Sequence, residues 1–375
     1  MFPGVTVEVQ RGNLLASINV PDAVPALLVP HTEIEGRSHV VRRIYSAAEL
    51  PDDVTGRVRE VVEDFYAEVG GSTALLYVEC GSETSWDASA VQEDIERVMR
   101  AYSDVNLTGV LSPVSGHTTA KTGGFLCDWS MDVVMESKAK LTSLQKRGTP
   151  TRLFVDGCIV DDNVDALTFA PSSATNGYAA IVLGGSEKSA GCGVGVALGR
   201  ATKVGAHVKI GDGALGALSI GDVMYGAQRY DELGAHRVEA LHDKGYMTFM
   251  RRQGLAGYYF GVDNMCSNDD YSILVHGRVI DKAQRIAIAS YMPLVESNVQ
   301  MADDGSIDAA DAEYIAKLLE SQLRAQMSEQ VSNVKVVVPT AQDLVNRKRL
   351  RVEVSVLPLG YLTWITVELG LTSNL

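Results

Sequence analysis

The sequence predicts an α/β fold of the α+β kind, mixed sheets flanked by helices, with strongly patterned strands at both ends of the chain. Three observations predict it. From about residue 52 onward, apolar runs of strand length alternate with amphipathic runs of helix length. The apolar content is 46% but aromatics are only 6%, so the interior is mostly aliphatic, as sheets packed on helices require. Both chain ends show the period-two alternation of a half-buried strand.

The N-terminal strand comes first: Val5, Val7 and Val9 alternate with Thr6, Glu8 and Gln10. Pro21, Pro25 and Pro30 then predict an extended path with little internal hydrogen bonding. A strand on so loose a tether can leave the body of its own subunit. Val54, Val58, Val61, Val62 and Phe65 mark an amphipathic helix, followed by a buried strand over 74–79 and a helix over 87–102 with Asp87 as N-cap. Strands over 105–111, 152–155 and 178–183 and a helix over 129–146 complete this half. The Gly- and Ala-rich stretch 191–226 reads as a link to a second half.

That half opens with a short helix (238–244), a strand (246–249) and a turn plus strand (254–260). A long amphipathic helix is expected over 271–291. Asp308 is placed to cap another, whose Ile315, Leu319, Leu323 and Met327 recur at i+4 steps. A strand follows over 334–338. Leu350, Val352, Val354 and Val356 then share one strand face, the run 358–360 (PLG) breaks it, and Thr363, Ile365, Val367, Leu369 and Leu371 line a last strand.

The formal net charge of −14 argues against nucleic acid and anionic membrane surfaces as partners. One local exception is the basic cluster Arg347, Lys348, Arg349 and Arg351, which reads equally as a docking patch for an acidic partner or as a charged strand edge. The five cysteines are widely spaced without a C-x-x-C pair, so neither a zinc site nor a disulfide framework is expected, and reduced thiols in a protein made in the cytoplasm are. No charged-then-apolar leader opens the chain, and no window supplies the 18 apolar residues of a membrane span.

Motifs for chemistry are incomplete. The run 185–189 (GSEKS) is similar to a phosphate loop, but Glu187 stands where that loop needs Gly and would repel phosphate, so a surface turn is the better reading. The run 191–197 (GCGVGVA) lacks the third Gly of a dinucleotide fingerprint, and small residues on a helix packed closely against a sheet explain it better. Around Gly305, Gln300 and Ala302 occupy positions where a calcium loop needs carboxylates, leaving a polar turn before a helix. The seven His form no metal set, and no Ser or Cys stands in a nucleophile elbow. Asp263, Asp269 and Asp270 are expected to cap the helix that begins near Tyr271. No catalytic, metal or cofactor site is expected, and a structural role leads; a nucleotide-binding enzyme using the glycine-rich stretch is the weaker alternative.

The runs 244–249 (KGYMTF), 254–260 (GLAGYYF), 269–272 (DDYS) and 277–283 (GRVIDKA), with the ending 357–367 (LPLGYLTWITV), resemble the tail sheath proteins of contractile phages. The similarity is greatest to the short sheath forms of Mu-like phages and related injection systems, and it covers residues 236–371. The resemblance implies stacked hexameric rings around an inner tail tube protein, capped by baseplate and tail terminator proteins. It implies no cofactor, no nucleic-acid partner and no membrane insertion. The particle is a virion tail or injection system assembled in the bacterial cytoplasm, and its contraction drives genome ejection or injection. It further implies that strands at both termini are donated to neighbouring subunits, which assigns Val5, Val7, Val9, Val352, Val354, Val356, Ile365, Val367 and Leu369 to inter-subunit strand exchange.

On that reading residues 1–30 are an arm and extended linker, 31–230 an outer α/β domain, 231–348 an inner core domain and 349–375 C-terminal strands. Lys317 and Arg324, with Arg347, Lys348 and Arg349, are the expected tube-facing residues, since a tube with an acidic wall would attract them. A baseplate-type structural protein is the other member of this class kept open.

Overall fold

The computed structural model describes residues 19–31, 39–113, 126–159 and 163–363. An eight-stranded sheet dominates it, in the order β10-β9-β6-β5-β4-β1-β3-β2. Its strands are β1 (Pro25–His31), β2 (Val40–Ile44), β3 (Leu75–Ser82), β4 (Leu107–Val110), β5 (Arg152–Asp156), β6 (Ala179–Leu183), β9 (Met247–Met250) and β10 (Tyr259–Phe260). Between β6 and β9 lies the small hairpin of β7 (Met224–Tyr225) and β8 (Gln228–Arg229). Neighbours from β3 across to β9 run parallel, and only the outermost strands, β2 on β3 and β10 on β9, are antiparallel. The inner strands are buried on both faces, which explains their unbroken apolar runs.

β1 corrects the reading of the proline-punctuated segment as a loose path. Ala26, Leu27 and Leu28 are fully buried in the middle of the sheet, paired with β3 on one side and β4 on the other. The prolines do not prevent this because of where they fall. Pro25 is the first residue of the strand, and Pro30 lies within the register irregularity between Val29 and His31, both places where a missing N–H is tolerated.

The helices follow the expected pattern closely. α1 (Arg57–Val69) buries Val61, Val62 and Phe65 and ends on Gly70 in the left-handed conformation. α2 (Ala88–Ala101) is capped by the Asp87 carboxylate, which accepts from the Ala90 N–H at 2.9 Å. α3 (Asp128–Lys146) covers the sheet between β4 and β5 in sequence. α4 (Val194–Lys203) overturns the view of 191–226 as a linker, being almost wholly buried. Its glycines explain how: an ideal Cβ on Gly195 would collide with the Val61 carbonyl, and one on Gly199 would stand 2.8 Å from the Phe65 carbonyl. Two glycines four residues apart thus let α4 lie backbone to backbone on α1, the close-packing explanation of this glycine run. The Glu68 carboxylate and Arg200 guanidinium lock the same pair of helices at 2.7 Å, both fully buried.

Short helices α5 (Tyr230–Leu233) and α6 (Ala235–Asp243) lead to β9, and α7 (Leu274–Tyr291) follows β10. Asp263 caps α7 as expected, its carboxylate accepting from the Val275 N–H at 3.2 Å. Arg152 on β5 donates two hydrogen bonds, 2.6 and 2.7 Å, to the Asp281 carboxylate on α7, and a third to the Gly277 carbonyl. This buried fork positions α7 against the sheet.

The chain forms two compact units. The larger holds residues 21–282, 329–333 and 356–375, and the smaller 1–20, 283–328 and 334–355. Residue 230, taken as a boundary in the sequence, lies inside the larger unit because β9 pairs in parallel with β6, Val182 opposite Met247. The smaller unit centres on α8 (Ala309–Met327), which buries Ala312, Ile315, Leu319, Leu323 and Met327. Asp308 caps it through the N–H groups of Ala310 and Asp311. The turn before it is the polar turn expected in place of a calcium loop, with Gly305 at φ +80° and Ser306 donating to Asp304. A two-stranded ribbon of β11 (Val331–Val337) and β12 (Glu353–Pro358), with α9 (Leu344–Arg347) between them, divides its residues between the two units.

Candidate assembly site at the chain termini

Among the described residues no group of three His, Cys, Asp or Glu is placed to hold a metal ion, and no helix is long and apolar enough to cross a membrane. The turn 185–191 has an exposed tip at Glu187 and Lys188, and its inner serines are occupied structurally: Ser186 donates to the Asp64 carboxylate at 2.8 Å and Ser189 to the Cys192 carbonyl at 2.9 Å. Two features near the ends of the described chain stand out.

β12 is one. It pairs with β11 of its own chain, so the alternation read at residues 350–356 does form a strand, running from 353 to 358 and taking in Pro358. β11 buries Val331, Val334 and Val336 and exposes the intervening residues. β12 is open to solvent along its length: Val354 and Leu357 are exposed, and Val356 is half-buried. Val352 precedes the strand and is half-buried too. Among the described residues β12 has a ladder partner on one side only. Val5, Val7, Val9, Ile365, Val367 and Leu369 lie outside the described residues.

The second feature is a polar clamp that sequence reasoning missed. Asp22, just ahead of β1, accepts from Lys282 Nζ at 2.9 Å and from the Gln330 amide at 3.1 and 3.2 Å. Its backbone carbonyl accepts from Arg278, which also donates to the carbonyls of Val204 and Gly205. Burial works to raise the Asp22 carboxyl, but the hydrogen bond and charge of Lys282 and the Gln330 amide outweigh it and hold the group below the ordinary carboxylate range. Burial pulls Arg278 down to about 10 against the attraction of Asp22, Asp263 and Asp281. His207 sits beside this group. Burial, then the positive charges of Arg278 and Lys282, lower its pKa against the opposing pull of Asp22 and Glu329.

At the other chain end, the Tyr361 hydroxyl donates to the His207 carbonyl at 2.8 Å, the Lys209 ammonium lies 5.1 Å from its ring centre, and His276 packs beside it. The segment entering β1 and the segment leaving β12 are therefore both fastened to the 204–209 loop and the first half of α7. One sequence signal was available: Asp22 is the sole Asp, Glu, Lys or Arg between Arg11 and Glu33.

The residues expected to face a tube fall into two places. Lys317 and Arg324 lie seven residues apart on one exposed face of α8, but each is paired, Lys317 with Glu313 and Arg324 with Glu320, both at 2.8 Å. That face is charge-balanced. Arg347, Lys348 and Arg349 come together at the end of α9, where Lys348 takes a left-handed conformation (φ +50°) and all are exposed.

A family described as "DUF2586, C-terminal domain" matches residues 270–375. None of the curated proteins matches the chain. Solved structures match over nearly the whole length. The helical sheath of the anti-feeding prophage in its contracted state is similar at a TM-score of 0.68 and 15% identity, covering 99% of both chains. The contracted sheath complex of an extracellular contractile injection system, PVC, gives 0.65 and 14%, covering 100% of this chain and 98% of that one. A sheath tail protein from Desulfitobacterium hafniense gives 0.53 and 8%, covering 95% and 100%. The described residues have the fold of contractile sheath proteins, as the C-terminal motifs imply.

Proposed function

We propose that the chain is a structural, non-catalytic subunit of a contractile sheath. Copies polymerise as stacked six-fold rings around an inner tube and shorten to drive the tube through a target envelope. The observation that carries this reading is the whole-chain match to contracted sheaths, since fold similarity confined to one half would fit many α/β proteins.

The terminal geometry supports it. β12 offers an exposed strand edge to which an incoming strand can add. At about 1 kcal/mol net per ladder hydrogen bond, a strand of four or five bonds contributes several kcal/mol before side-chain burial is counted. Strands carried on residues 1–18 and 364–375 are the proposed donors, with Val5, Val7, Val9, Ile365, Val367 and Leu369 as the exchanging positions. Contraction requires two packings of one rigid body, with the dihedral change confined to loops. Because Asp22 is clamped ahead of β1 and Tyr361 is fastened to the His207 carbonyl, the N-terminal hinge must precede Asp22 and the C-terminal hinge must follow Tyr361. We assign the tube-facing patch to Arg347, Lys348 and Arg349, which are exposed together at the end of α9. Tube, baseplate and tail terminator proteins are the implied partners, and assembly in the bacterial cytoplasm the implied site.

One observation favours a second reading, a baseplate ring subunit. The chain matches the six-fold symmetrised baseplate structure of the anti-feeding prophage at a TM-score of 0.65 over 99% of both chains. A baseplate component closes into a discrete ring, whereas a sheath grows as an open helix. Sedimentation of chains lacking residues 1–18 or 364–375 tests the strand-exchange mechanism. Both should stay folded and remain in the supernatant under conditions that pellet the full chain. Pelleting of both truncated chains as ordered tubes contradicts strand exchange.

A further inference from the structure

Cys127 and Cys158 face each other outside every feature used so far. Leu126 and Ile159 form an antiparallel bridge, and the Cys127 N–H donates to the Cys158 carbonyl at 2.8 Å, so the two cysteines are cross-strand neighbours. Such neighbours have Cα atoms about 4.5–5.5 Å apart, within the span a disulfide bridges without moving the backbone. Both side chains are buried. Cys127 is also the N-cap of α3: its carbonyl accepts from the Ser130 N–H at 3.1 Å, and its side chain lies near the N–H groups of Trp129 and Ser130 without making a cap hydrogen bond. The Cys158 thiol and these amides bring Cys127 down to about 7, while the hydrogen bond to Cys127, burial and the Asp156 charge push Cys158 up. Burial raises the thiols of Cys80, Cys192 and Cys266.

We infer that Cys127 and Cys158 form a reversible dithiol–disulfide pair that staples the start of α3 to the end of β5. With hydrogen peroxide as oxidant the electrons balance. The Cys127 thiolate attacks one peroxide oxygen, the O–O bond breaks, and the departing hydroxide takes up the proton lost from Cys127, giving water and a sulfenic acid. The Cys158 sulfur then attacks the Cys127 sulfur. The S–S bond forms, the S–O bond breaks, and the hydroxide leaves with the Cys158 proton as a second water. Two electrons pass from the thiols to peroxide, and a dithiol such as dithiothreitol returns them. A chain reduced where it is made and oxidised after release would gain a cross-link within each subunit.

The test uses the full-length chain treated with peroxide or dithiothreitol, with oxidation of the exposed Met292 reporting oxidant dose. Oxidised protein should lose two hydrogens by intact mass and yield a non-reduced peptide joining residues 127 and 158. Its melting temperature should rise by roughly 5 °C, reversed by dithiothreitol. Cys158→Ser should lose the cross-link and leave a Cys127 sulfenic acid that dimedone traps. A cross-link through Cys192, or no cross-link in wild-type protein once Met292 is oxidised, overturns the proposal. The wild-type peptide map decides the matter even if the variant does not fold.

Discussion

The central sheet and the terminal ribbon are both built from apolar residues at strand spacing, yet they spend them differently. In the sheet, β1 and β4 to β6 are covered on both faces, and the ions of that layer are paired internally, Arg152 with Asp281 and Glu68 with Arg200. In the ribbon, β12 shows Val354 and Leu357 to solvent and its nearby charges are surface pairs such as Arg351–Glu353 at 3.0 Å. Burial stabilises the first region within one subunit. The second carries apolar surface and a strand edge that have no partner among the described residues, which suits contacts made on assembly.

Perturbing the sheet should cost most. Gly195→Val drives a side chain into the Val61 carbonyl and should destabilise the fold by roughly 3 kcal/mol or more, or abolish soluble expression; a stability within error of wild type in denaturant unfolding would break the close-packing account. Asp281→Ala strands the Arg152 guanidinium in a buried site and should cost about 3–5 kcal/mol, readable in the same experiment.

The clamp at the chain roots should be intermediate. Lys282→Met removes one partner of the Asp22 carboxylate, which keeps part of its water contact, so a loss of roughly 1–2 kcal/mol is expected. His207 makes this region pH-sensitive. Its folded pKa lies below the ordinary 6.5, so the unfolded chain binds the proton more tightly. The associated stability is present above that value and declines as the pH falls through it toward the folded pKa. His207→Gln should flatten the melting-temperature profile between about pH 7 and 5 relative to wild type.

Perturbing the ribbon should barely affect the isolated subunit. Val354→Lys on exposed β12 is expected to change unfolding stability by no more than about 0.5 kcal/mol while suppressing polymer formation. A large loss of monomer stability would show that β12 serves its own fold.

The element pattern was legible because periodicity survives folding: the caps Asp87 and Asp308 and the buried face Ile315, Leu319, Leu323 and Met327 stand where spacing put them. Two misreadings have one cause. Prolines read as an extended path and the stretch 191–226 as a link, but Pro25 and Pro30 occupy the tolerated start and bulge of β1, and that stretch contains the buried helix α4, whose Gly195 and Gly199 serve a helix contact. Their meaning depends on neighbours distant in sequence. The clamp was illegible for the same reason, since Asp22 meets Lys282 and Gln330 across 260 and 308 residues. Val354 and Val356 were readable as strand residues, but one sequence does not reveal which chain completes the sheet.

The most direct test is negative-stain electron microscopy of the purified full-length chain at high concentration. Hollow striated cylinders of varying length, built from six-fold rings, are the predicted result. Closed rings of fixed size, or discrete monomers under every condition that preserves the fold, would contradict the sheath account.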